Sequence, residues 1–125
     1  MFESISLDIN AYLGFANVKV WVEDEKLHYA KNVMAMPEEF ADDEVSTMSV
    51  DEFSSRLNNL GITDWKKHYE PVGVVYMDGV SWEVVYEDSD YKNHKSTGDN
   101  EYPVNWKKFL KLLKEAVGDF ETYED

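Results

Sequence analysis

The sequence predicts an α+β fold: a single two-layer sandwich in which an antiparallel sheet of five to six strands carries two helices on one side. Three observations predict it. Apolar residues alternate at Ile5, Leu7 and Ile9 and again at Val18, Val20 and Val22, which is the two-residue period of half-buried strands. Two β-rich runs flank Asp78-Gly79, and the segments 50–60 and 106–117 switch to the 3.6-residue period of amphipathic helices. With 125 residues, 43% of them hydrophobic and 14% aromatic, the chain has material for one well-packed core, and its length excludes a second domain. Residues 1–118 are expected to form the domain and 119–125 an acidic, frayed tail.

In chain order, the first two alternating runs are strands, and Asp24-Glu25-Lys26 reverses the second into Leu27-His28-Tyr29-Ala30, making a hairpin of residues 17–32. From Asn32 to Ser55 there is no Lys or Arg, while Glu38, Glu39, Asp42, Asp43, Glu44, Asp51 and Glu52 accumulate. Pro37 breaks any earlier helix, and the first half of this stretch reads as a mobile loop. Ser49-Val50-Asp51-Glu52 fits a capping box, in which the Ser49 hydroxyl and the Glu52 carboxylate each satisfy a first-turn amide. A helix follows with Val50, Phe53, Leu57 and Leu60 on one face, and Gly61 stops it. Thr63 is the expected cap of a short turn carrying Trp65 and Tyr69, ended by Pro71. Residues 74–86 read as a hairpin about Asp78-Gly79. Trp82, Val84 and Tyr86 are placed on its core face and Glu83, Val85 and Glu87 on an acidic face. A further strand is expected over 91–97. Trp106, Phe109, Leu110, Leu113 and Val117 then line a helix stopped by Gly118, with Lys107, Lys108, Lys111 and Lys114 outside.

The chemistry the sequence offers is sparse. There is no Cys, which removes disulfides, thiolate metal sites and a cysteine nucleophile. Asp88-Ser89-Asp90 with Asp99 fails as a calcium loop, because Lys92 and Asn93 stand where an oxygen ligand and Gly are required. His28, His68 and His94 lie on different elements without thiolates, so no metal is expected. No Gly-x-Ser-x-Gly elbow, Ser-x-x-Lys or phosphate-cradling glycine motif occurs, so no catalytic residue and no cofactor is assigned. Trp65, Trp82 and Trp106 fall on core faces. Trp21 shares its face with Lys19 and Glu23, and is either half-covered by a neighbouring strand or an exposed interface anchor.

The local signals at Asp78-Gly79-Val80-Ser81-Trp82, at Gly98-Asp99-Asn100-Glu101-Tyr102-Pro103 before the last helix, and at Trp65-x-x-x-Tyr69 carry a resemblance. In layout, residues 17–117 resemble a group of small bacterial and phage proteins with an Asp-Gly-x-x-Trp hairpin and a Gly-x-Asn-x-Tyr-Pro turn. The resemblance implies a fold and a setting in which acidic immunity proteins and other inhibitors are common. It carries over no catalytic residue.

Charge sets the functional expectation. Twenty-six acidic against twelve basic residues give a formal charge of -14, which opposes direct binding to nucleic acid or anionic lipid and favours a basic protein partner. The start of the chain shows no signal peptide or membrane span, so a cytoplasmic, non-enzymatic inhibitor is expected. It is read as an immunity partner of an antibacterial toxin such as a nuclease, or as a phage-encoded, anti-CRISPR-like blocker that mimics nucleic acid. Glu38, Glu39, Asp42, Asp43, Glu44 and Trp21 are the expected contact residues. The alternative is a small enzyme or ligand-binding domain, for which a pocket of Trp21, His28 and Tyr29 with convergent carboxylates would speak. If the acidic stretch is the contact, replacing Glu39, Asp42, Asp43 and Glu44 by Ser leaves circular dichroism and melting unchanged. Partner affinity then falls, by about 2 kcal/mol or more for each contact that becomes buried. Undiminished inhibition by the variant would move the interface elsewhere.

Overall fold

Alternation at the N-terminus becomes a ten-residue strand, β1 (Phe2–Ala11), and its partners follow directly: β2 (Gly14–Glu23) and β3 (Lys26–Asn32). The computed structural model describes residues 2–11, 14–32, 44–69, 79–90, 92–120 and 122. β2 and β3 form the expected hairpin, with Glu23 opposite Lys26. Its two-residue turn places Asp24 and Glu25 at φ 53° and 63°, the left-handed pair that a primed hairpin turn requires and that is usually supplied by Asn or Gly. The remaining elements are β4 (Glu44–Val45), α1 (Val50–Leu60), one turn of 3-10 helix (Ile62–Asp64), β5 (His68–Tyr69), β6 (Ser81–Asp88), β7 (Asn93–Asp99) and α2 (Trp106–Val117).

The result is α+β, with the strands in one seven-stranded sheet of order β4-β3-β2-β1-β6-β7-β5. This corrects the expected all-antiparallel sheet of five to six strands. β5 runs parallel to β7 at one edge, and β4 adds to β3 at the other. β6 pairs with β1 along one edge and with β7 along the other. Residues 70–78, which hold the first arm of the hairpin expected about Asp78-Gly79, lie outside the described ones.

Register fixes the core. Ile5 stands between Val20 and Tyr86, Leu7 between Val18 and Val84, and Ile9 between Ala16 and Trp82. Directly opposed residues share a face, so these rows present one apolar surface, and both helices contribute to the same buried cluster through Phe53, Leu57, Trp106, Phe109, Leu112 and Leu113. Ser49 caps α1 as expected, accepting from the Glu52 amide at 3.1 Å. The Glu52 carboxylate turns to Arg56 instead of closing the box, at 3.4 Å. Arg56 also reaches Glu115 on α2, tying the two helices. Gly61 ends α1 at φ 65° and itself starts the 3-10 turn, where the Asp64 amide donates to its carbonyl at 2.9 Å. Thr63 is therefore not the cap. Beyond Gly118, Phe120 is buried in the core cluster and Lys31 donates to the Asp119 carbonyl at 2.9 Å, so packing continues past the point where fraying was expected.

One contact closes the C-terminal half. The Trp82 indole lies against Gly98, donates to the Glu101 carbonyl at 2.8 Å, and sits 4.5 Å from the Trp106 ring. A Cβ on Gly98 would stand 2.5 Å from Trp82 Cε2 and 2.6 Å from the Glu101 oxygen, distances that real contacts do not reach. Gly98→Ala should accordingly destabilise by about 1–3 kcal/mol through overpacking, and Trp82→Ala by about 3–5 kcal/mol through the cavity it leaves. Urea unfolding of both variants measures this, and a Gly98→Ala protein as stable as the parent would show that the indole does not need the close approach.

Candidate functional site

The second face of the sheet is covered by neither helix, and the same registers that build the core assemble a polar row on it. Asn17 on β2 opposes Asp8 on β1, Asp8 opposes Glu83 on β6, Glu83 opposes Thr97 on β7, and Thr97 lies beside His68 on β5. A second row runs parallel to it through Phe15, Asn10, Ser81 and Asp99. All nine of these residues, with Trp82 and Gly98 beneath them, line a cleft of about 410 Å³.

Within the cleft the groups are unevenly satisfied. His68 Nδ1 is 2.7 Å from Thr97 Oγ1, and the Thr97 hydroxyl faces the Lys67 carbonyl at 3.3 Å. His68 Nε2 is 3.6 Å from Asp99. Lys95 approaches Glu83 at 3.4 Å from outside the cleft, which no Lys or Arg lines among the described residues. Asn17 is 6% exposed, and its Oδ1 has no hydrogen-bond partner. Burial, then the nearby Glu83 charge, push the Asp8 carboxyl above the usual range, against the lowering effect of a hydrogen bond from Asn17. Three carboxylates and an orphan amide oxygen make this an acceptor-rich, negatively charged recess.

Other places are less open to chemistry. A groove of about 530 Å³ lies between 60–69 and 101–105, yet its polar groups serve the fold: Trp65 Nε1 donates to Asn105 Oδ1 at 3.0 Å, and Asn105 Nδ2 to the Leu60 carbonyl at 2.5 Å. The Asp88 carboxylate accepts from the Asp90 and Lys92 amides, which shapes the β6–β7 turn. Those bonds, the Lys92 one foremost, hold the carboxyl below the usual range. Among the described residues no cluster of His, Asp or Glu is arranged for a metal ion, and no helix is long and apolar enough to cross a membrane.

The residues expected from sequence are dispersed. Glu38, Glu39, Asp42 and Asp43 lie outside the described residues. Glu44 falls on β4, where its carboxylate accepts from the Tyr29 hydroxyl at 2.6 Å, an interaction that raises the Tyr29 pKa. Trp21 is half-buried, stacked on His28 with ring centroids 5.9 Å apart, and Lys19 Nζ is 5.9 Å from its ring. The pocket of Trp21, His28 and Tyr29 does not form: Trp21 opposes His28 while Tyr29 opposes Val20, which puts Tyr29 on the core face. Sequence reading missed Asp8, Asn17 and Thr97, although Asp and Asn inside strands, where they are depleted, were an available signal. Comparison with protein-family models, curated proteins and solved structures finds no match to this chain.

Because the folded state raises the Asp8 pKa, folding takes up a proton there, and stability falls as pH rises from the ordinary Asp range through the raised value. Asp8→Asn removes that loss while keeping an oxygen for the Asn17 amide to donate to. Its melting temperature should therefore exceed the parent's at neutral pH and converge with it below the Asp range. Thermal melts across that pH interval test this, and a variant less stable at neutral pH would contradict the buried-charge account.

Proposed function

We propose that the chain is a binding protein that inhibits a basic, nucleic-acid-handling partner, engaging it through the sheet face that the helices leave uncovered. The observation that carries the reading is the acceptor-rich row on that face, with Asp8, Glu83 and Asp99 lining one recess in a chain of formal charge -14. Glu87 and Glu23 extend the same face by strand alternation. Such a surface speeds encounter with a positive patch and competes with phosphate for it. A nuclease toxin and a nucleic-acid-guided defence effector are both partners of this kind. The first makes the chain an immunity protein and the second an anti-defence inhibitor. A second reading, a small enzyme or ligand-binding domain, draws on the cleft alone, where carboxylates and His68 stand together; it is favoured if a small molecule is turned over without any protein partner.

Capture of host proteins on the immobilised chain, followed by kinetics with the purified partner, tests the reading. The partner should be basic, and its association rate should fall steeply with added salt, since free charges are screened over about 8 Å at physiological ionic strength. Charge-reversal on that sheet face, away from the Asp8–Glu83 pair (Glu23→Lys, Glu87→Lys), should slow association without altering the melt. A rate indifferent to salt, or an acidic partner, would overturn it.

A further inference from the structure

We infer that the cleft on the Asn17–Asp8–Glu83–Thr97–His68 row is a receptor for a guanidinium group, and, on the reading just proposed, that it takes an arginine side chain of the basic partner. The first ground is an unmet acceptor. Asn17 is more than nine-tenths buried, lines the cleft, and its Oδ1 has no donor. Buried polar atoms are nearly always paired, so an orphan acceptor at the wall of a cavity marks where a donor belongs. The second ground is charge: among the described residues Asp8, Glu83 and Asp99 line the recess without a lining Lys or Arg, which disfavours an anion and leaves a neutral polyol with nothing to offset the carboxylates.

Shape separates the cations. Asn17, Asp8 and Glu83 sit on three adjacent strands, so their acceptors are spread over about 10 Å at the usual strand spacing. A compact ammonium reaches one or two of them. A planar guanidinium, with five N–H donors and no acceptor, can bridge neighbouring carboxylates and the amide oxygen together. A divalent ion needs ligands that converge, and the described residues offer no such group. Phe15 lines the cleft beside the row.

The test titrates ethylguanidinium, N-acetyl-arginine-methylamide and n-butylammonium into the isotopically labelled full chain, following the Asn17 side-chain amide and the backbone amides of Asp8, Glu83 and Thr97 by NMR. Both guanidinium probes should shift these signals saturably, with n-butylammonium weaker by about tenfold or more, the cost of a lost charged hydrogen bond. Glu83→Gln, at a partly exposed position, and Asp8→Asn should each weaken guanidinium binding by a similar factor while the tryptophan indole signals stay in place, showing an intact fold. Equal response to guanidinium and ammonium, shifts scattered over the whole acidic surface, or binding unchanged in both variants would overturn the inference. A Gly-Ser-Arg-Ser-Gly peptide and free arginine distinguish the source: tighter binding of the peptide indicates a partner's side chain, tighter binding of the amino acid a small metabolite. A basic partner that binds by charge while guanidinium does not would sink this inference and spare the proposed function; guanidinium binding without any basic partner would do the reverse.

Discussion

The structure depends on the close approach of Trp82 to Gly98. Trp82 belongs to β6, which is hydrogen-bonded on both sides, and its indole N–H is spent on the Glu101 carbonyl in the turn that leads into α2. A single side chain thereby joins the central sheet, the β7 strand, the 98–103 turn and the start of the last helix. Aromatic rings gather on that junction: Trp65, Tyr69, Tyr102 and Trp106 all have ring centroids within 6.4 Å of Trp82. Tyrosine and tryptophan bring large apolar area and a polar handle at once, and here the handles close turns while the rings fill the core. The same two residues, Trp82 and Gly98, form part of the floor of the cleft, so the site rests on this junction.

How much of this could be read in the sequence depends on the range of the interaction. Short-range signals were legible: alternation gave β1, β2 and β6 with their faces, helical spacing gave α1 and α2, and Ser49 and Gly61 marked the two ends of α1. The failures are long-range. The pairing of β6 with β1 is decided by a strand seventy residues earlier, beyond the reach of any local pattern. β4 and β5 are two residues each, too short to carry any periodicity. The cleft was invisible for the same reason. Asp8, Asn17, Glu83, Thr97 and His68 become one row only when four registers are known, and a slip of one residue in any of them would scatter the row to the other face.

Charge is distributed by layer. The lysines of α2, Lys107, Lys108 and Lys111, are exposed on the helical side, whereas the other sheet face carries Asp8, Glu23, Glu83, Glu87 and Asp99 on its strands, with Lys19 and Lys95 among them. α2 carries four lysines against one glutamate, and that asymmetry with the sheet's carboxylates gives the molecule a direction as well as a sign. A basic surface approaching α2 meets like charge, which favours approach to the sheet. The acidic stretch from Glu38 adds to the total charge.

Asp8 shows what such a face costs the fold. Half-buried, next to Glu83 and opposite an amide whose oxygen is unpaired, it sits where a hydrophobic or amide side chain would be more comfortable. Ordinary surface design would put a Thr or Val at that point of a central strand. Groups that destabilise the free protein and converge on a cleft are characteristic of places where a ligand supplies the missing partner. The Lys95 contact to Glu83 is the nearest compensation by charge, and it acts from the rim, leaving the Asn17 Oδ1 without a donor. A cation entering the recess would thus relieve a strain already present in the free chain, and binding there would be favoured both by what the ligand gains and by what the protein no longer bears.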